Sequence, residues 1–148
     1  MKDFGNEQPL VLVVDDERAV LDEVAAVLSR AKLACRCCTT SDEAMAAVAA
    51  TPPDLILCDV NLRGESGLEL CERIKRQPGL EAVPVMFLSG AQLPDIIRRS
   101  YAAGGTYCLR KPFDPDVLVE LIDQALAVPA GMPENDFLPA ATIAQLPV

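Results

Sequence analysis

Four apolar runs in this sequence stop on residues that can do chemistry. Leu10-Val11-Leu12-Val13-Val14 stops at Asp15-Asp16, and Leu55-Ile56-Leu57-Cys58 stops at Asp59. Val85-Met86-Phe87-Leu88 stops at Ser89, and the run Thr106 to Arg110 stops at Lys111. Three carboxylates gathered in one place repel each other and need a cation. Carboxylate and carbonyl oxygens with room for water suit Mg2+. An aspartate can also act as a nucleophile and form an aspartyl phosphate. A lysine and a divalent ion can neutralise a phosphoryl group while a hydroxyl donates to one of its oxygens, which is what phosphoryl transfer requires. The chain has no histidine to serve as a general base. None is needed when the donor arrives already phosphorylated. Each residue alone reads as an ordinary loop residue; their shared position after apolar runs makes them a set.

The elements between these stops alternate. A helix is predicted over 18–31, with Val20, Leu21, Val24, Val27, Leu28 and Ala31 on one face. Leu33 to Cys38 reads as a strand. Thr40 and Glu43 have capping-box spacing at the start of an Ala-rich helix that ends before Thr51-Pro52-Pro53. Asp54 to Cys58 is a strand that hands over to Asp59 and a polar, Gly-containing loop. Ser66 and Glu69 repeat the capping-box pattern and open a helix to about Gln77, closed by Pro78-Gly79. The strand Val83 to Leu88 leads to Ser89-Gly90. A helix is predicted from Pro94-Asp95 to Gly104-Gly105. After the strand Thr106 to Arg110, Asp114-Pro115 supplies an N-cap and a first-turn proline for a last helix ending near Leu126.

Five strands strictly alternating with five helices predict an α/β fold, a doubly wound parallel sheet with helices on both faces. In such a sheet, ligands bind outside the carboxyl ends of the strands, at the point where strand order reverses. All four stops fall at that edge. Residues 1–8 read as a leader, 9–127 as one domain, and 128–148 as a Pro-rich tail without a clear period, expected to be flexible.

The length of 148 residues fits one domain, and 51% hydrophobic residues can bury a real core. A net charge of -9 argues against direct nucleic-acid binding, which needs clustered Lys and Arg. No apolar run is long enough for a membrane span and the N-terminus has no signal-peptide stretch, so a cytoplasmic location is expected. All six cysteines fall inside strand or helix patterns, and they read as reduced, mostly buried thiols. Cys35, Cys37 and Cys38 lack zinc-site spacing.

With VLVVDDE, LCDVNLRGESGLEL, VMFLSG and LRKPF in this order, the chain resembles a response-regulator receiver domain of two-component signal transduction over about residues 9 to 127. The resemblance implies a flavodoxin-like five-stranded sheet in the order 2-1-3-4-5. It implies a signalling domain, not a general enzyme, that catalyses only its own phosphorylation and dephosphorylation. Asp59 would be the phosphoacceptor. Asp16 and Asp59 would bind Mg2+ directly, Asp15 through water, and Asn61 through its backbone carbonyl. Ser89 would be the switch hydroxyl. Lys111 would pair with the phosphorylated Asp59 and precede a cis peptide bond to Pro112. The expected donor is a sensor histidine kinase or a phosphotransfer protein. The expected output is an unknown partner met through the fourth helix, fifth strand and fifth helix. Pairing into a homodimer through the last helices is a habit of the family.

Three residues depart from the family pattern. Cys108 stands where an aromatic switch residue is usual, and Tyr107 beside it must face the other way. Arg63 stands where proline is common. Ala91, two residues after Ser89, has no side chain to orient an attacking water. The alternative function is a receiver-fold docking module that works without phosphorylation. A phosphatase of the haloacid dehalogenase type would need a D-x-D pattern, and here Asn61 fills the second place. A dinucleotide-binding domain would need G-x-G-x-x-G after the first strand, which is absent.

Overall fold

The most apolar runs become the innermost strands, because a strand with neighbours on both sides and layers on both faces has no wet surface. The computed structural model describes residues 8–90 and 105–127. In chain order its elements are β1 (Leu10–Val14), α1 (Arg18–Arg30), β2 (Ala34–Cys38), α2 (Ser41–Ala50) and β3 (Leu55–Asp59). A short hairpin follows, β4 (Asn61–Leu62) and β5 (Glu65–Ser66), then α3 (Gly67–Lys75), β6 (Val85–Ser89), β7 (Gly105–Arg110) and α4 (Pro115–Ala127). The five longer strands form one parallel sheet ordered β2-β1-β3-β6-β7. Counted along the chain, that is the expected 2-1-3-4-5.

Every residue of β3 and β6 is buried, while β2, at the sheet edge, exposes Arg36 and Cys37. Helix α1 packs near α4, and α2 near α3, one pair on each face. Their buried stripes are Leu21, Val24, Val27 and Leu28 on α1, and Leu118, Leu121, Ile122 and Ala125 on α4. Each fully buried Leu or Ile stabilises the fold by roughly 2 kcal/mol relative to exposure. Cys38, Cys58, Cys71 and Cys108 are buried and Cys35 partly so; none of the six is in a disulfide, and only Cys37 lies on the surface.

The local signals act largely as read. Thr40 Oγ1 accepts from the Glu43 N–H at 3.1 Å. The returning bond lands one residue early: Glu43 Oε1 accepts from the Thr39 N–H at 2.7 Å. Ser66 Oγ accepts from the Glu69 N–H at 3.3 Å. The helix it opens ends at Lys75, short of Gln77, and Gly79 makes the turn with φ +86°. Asp114 Oδ1 accepts from the Asp116 N–H at 2.8 Å, just where Pro115 starts α4. The polar loop after Asp59 is not irregular; it holds the β4–β5 hairpin. Four helices lie among the described residues. The helix expected over 94–104 lies outside them, as do Ala91, most of the leader and the 128–148 tail.

Candidate functional site

Strand order reverses at β1 and β3, which sit side by side although β2 separates them in sequence. Their carboxyl ends carry Asp15, Asp16 and Asp59. Backbone hydrogen bonds continue the sheet past these ends. The Asp15 N–H donates to the Cys38 carbonyl (3.1 Å), the Val60 N–H to Leu88 (2.8 Å), and the Lys111 N–H to Ser89 (2.7 Å). The site side chains therefore hang from fixed backbone. The Lys111–Pro112 bond is cis, as the resemblance implied.

Lys111 is the hub. Its Nζ lies 2.9 Å from Asp59 Oδ2, 2.9 Å from Asp15 Oδ2 and 3.4 Å from Glu17 Oε1. Asp59 is held at both oxygens, because its Oδ1 accepts from the Asn61 N–H at 3.1 Å. Asp15 Oδ1 accepts from the Glu17 N–H at 2.9 Å. Asp16 is the most exposed of the three aspartates, with Oδ2 at 3.9 Å from Arg63 Nε.

Burial sets the electrostatics. The Asp15 side chain is fully buried, and this pushes its pKa up. The Glu17 N–H and Lys111 offset part of that rise, and the negative charge of Asp59 adds to it. For Lys111, burial acts to lower the pKa. The hydrogen bond to Asp59, the ion pair with Asp15 and the charges of both outweigh burial, so the ammonium titrates above the ordinary lysine range. Lys111 is thus a permanent cation at this lip.

The donor set fits a hard divalent cation. Carboxylate oxygens of Asp15, Asp16 and Asp59 lie within 4.8 Å of one another. Asp15 Oδ2 is ion-paired with Lys111 but accepts no well-angled hydrogen bond, so this buried oxygen has a lone pair to spare. All the ligands are oxygens, the kind Mg2+ takes.

Asp15, Asp16, Asp59, Asn61, Ser89 and Lys111 all lie at or just past the carboxyl ends of the strands, along one edge of the sheet. Three further residues belong there that were not named as site residues, although Arg63 was noted as standing where proline is common. Glu17 continues the acidic run and reaches Lys111. Arg63 comes over from the hairpin to Asp16. Gly67 packs its Cα against the backbone of Asp59, where a Cβ would overlap the Asp59 carbonyl oxygen. Only Glu17 was visible as a string neighbour; Arg63 and Gly67 depend on the path of the loop. The two candidates for the aromatic switch are both buried. Tyr107 is tied to the last helix through a 3.0 Å hydrogen bond from its hydroxyl to Gln124.

Residues 11–123 match the response regulator receiver domain model. The chain belongs to the response-regulator receiver family. This receiver is 31% identical over 121 residues to the DNA-binding transcriptional regulator NtrC of Salmonella typhimurium, a match covering 82% of the chain and 25% of that protein. It is 32% identical to the phosphate regulon regulatory protein PhoB of Pseudomonas aeruginosa, covering 78% of the chain and 51% of PhoB. The chain thus spans a quarter to a half of these relatives. Among solved structures, the receiver domain of NtrX from Brucella abortus superposes with a TM-score of 0.75 at 32% identity, covering 80% of this chain and 99% of that one. The chemotaxis protein CheY4 of Vibrio cholerae gives 0.77 at 26% identity, covering 80% and 98%. No helix among the described residues is long and apolar enough to cross a membrane.

Proposed function

We propose that this receiver is a phosphorylation switch with Asp59 as its acceptor. The observation that carries the reading is the state of Asp59. It is 6% exposed, gripped at one oxygen by the Asn61 N–H and at the other by Lys111, beside two more carboxylates. A carboxylate with a surface loop role would not be held this way.

The donor would be a phosphohistidine of a sensor kinase or phosphotransfer protein. A carboxylate oxygen of Asp59 forms the new O–P bond as the P–N bond breaks. The electron pair leaves with the imidazole, which then takes up a proton. Asp15, Asp16, Asp59 and the Asn61 carbonyl would hold Mg2+, which supplies neutralising charge for the phosphoryl oxygens. Lys111, already protonated and directed at Asp59, supplies the protein's own cation. Ser89 ends the neighbouring strand and would donate its hydroxyl to a phosphoryl oxygen. The output would pass through the helix expected over 94–104, strand β7 and helix α4. The relatives include transcriptional regulators and a sensor histidine kinase, so they favour no single output partner.

One observation favours a second reading, a docking module independent of phosphate. Tyr107 is committed to Gln124 and Cys108 fills the usual aromatic place, so an inward aromatic swing has no residue to perform it. One experiment separates the two readings. Intact-mass spectrometry after incubation with Mg2+ and acetyl phosphate will find one added phosphoryl group, absent without Mg2+ and absent in Asp59→Asn. An unmodified wild-type protein that nonetheless binds Mg2+ would favour the docking module.

A further inference from the structure

Charge at the lip is shared unevenly. Lys111 lies 2.9 Å from both Asp15 and Asp59. Asp16 depends on Arg63, whose Nε is 3.9 Å away. Arg63 is brought there by the hairpin. Leu62 is buried and anchors one strand. The two-residue connection is Arg63-Gly64, and of these only Gly64 takes a positive φ, +75°, which glycine adopts without strain. The Arg63 backbone is therefore fixed while its side chain is 87% exposed. An arginine so exposed makes a weak, screened ion pair.

The surroundings give that arginine a second place to go. A groove of about 350 Å³ opens beside the pair, lined by Asp42 and Glu65 as well as Asp16 and Arg63. A guanidinium leaving Asp16 would still have carboxylates within the same groove.

We propose that Arg63 occupies Asp16 in the cation-free protein and must be displaced before a divalent cation binds. The hairpin residue would then set the metal affinity of the switch without being a ligand. This rests on the reading of the acidic lip as a Mg2+ site. Each carboxylate of the lip has a cationic partner before the metal arrives; the metal replaces the weaker of the two cations and leaves Lys111 in place.

Calorimetric titration with Mg2+ tests this on the unphosphorylated chain. Arg63→Ala should bind Mg2+ roughly two- to fivefold more tightly than wild type, the range of an exposed ion pair. The gap should close at high salt, which screens Arg63 but leaves the lip ligands intact. Arg63 is exposed, so the substitution leaves the core untouched. Equal affinities, or a gap that persists at high salt, would overturn the proposal while leaving the metal site standing. A wild-type protein that takes up no Mg2+ would remove the metal site itself, and the proposal with it.

Discussion

Gly67→Ala will destabilise the fold by about 3 kcal/mol, the upper part of the range for forcing extra atoms into a packed site. The new Cβ would overlap the Asp59 carbonyl oxygen and come within 3.0 Å of the Cys58 Sγ. The obstacle is mainly backbone, so no rotamer change relieves it. Helix α3 cannot back away either. The Gly67 N–H donates to the Val60 carbonyl at 2.7 Å, and Leu68, Leu70, Cys71 and Ile74 bury the same helix. Without the clash, alanine in a helical first turn would be favoured over glycine by up to ~1 kcal/mol. The sign of the effect therefore reports the contact. Urea denaturation measures it, with Gly90→Ala as control, because a Cβ there meets nothing within 4 Å. The damage will extend to function, since the atoms pushed aside carry Asp59. Mg2+ titration of the variant should show weakened binding. A Gly67→Ala protein as stable as wild type would mean that α3 does not press on the strand end.

Lys111→Met will cost about 3 kcal/mol at neutral pH, the scale for removing one partner from a buried pair. The methionine keeps the stem but strands Asp15 and Asp59, whose side chains are 0% and 8% exposed. The pH dependence follows from the sign of the shift. Asp15 already titrates above its ordinary value because of burial, even with Lys111 beside it. Without the lysine its folded pKa rises further. A group raised on folding contributes most below its unfolded pKa, near 3.9 for aspartate, and loses that contribution as pH climbs through the folded value. The deficit of Lys111→Met relative to wild type will therefore be largest at neutral pH and shrink on acidification. Added Mg2+ should return part of the lost stability at neutral pH by supplying another cation. Urea midpoints at two pH values, with and without Mg2+, decide this. A deficit that stays the same on acidification would show that lost packing, not stranded charge, dominates.

The sequence was most readable where chemistry coincides with a strand end. Asp15, Asp16, Asp59, Ser89 and Lys111 each follow an apolar run, and parallel strands place all such ends at one edge. The rest was less readable for definite reasons. Alternation of strands and helices says the sheet is parallel but not in which order its strands lie; the resemblance supplied 2-1-3-4-5. The β4–β5 hairpin has two residues per strand, too few for any periodicity. Arg63 meets Asp16 across 47 positions of sequence only because Leu62 and Gly64 bend the loop back. Gly67 read as part of a helix start, while its closer reason is the space it leaves for Asp59. Cys37 lies on the surface because β2 is an edge strand, a fact contained in strand order and not in the CRCC string.

The place of β3 in the sheet also bears on how the molecule breathes. It lies between β1 and β6, with all five residues buried. Amides in such a strand exchange with solvent only when the whole domain opens, whereas edge strands and short hairpins exchange through local fluctuations. Deuterium uptake should therefore be slowest across Leu55–Cys58 and much faster across β2 and the β4–β5 hairpin. Asp59 would ride on the strand that gives way last. A charge added there could not be absorbed by local loosening around its own backbone; the adjustment would fall to the periphery of the sheet, where exchange is already quick.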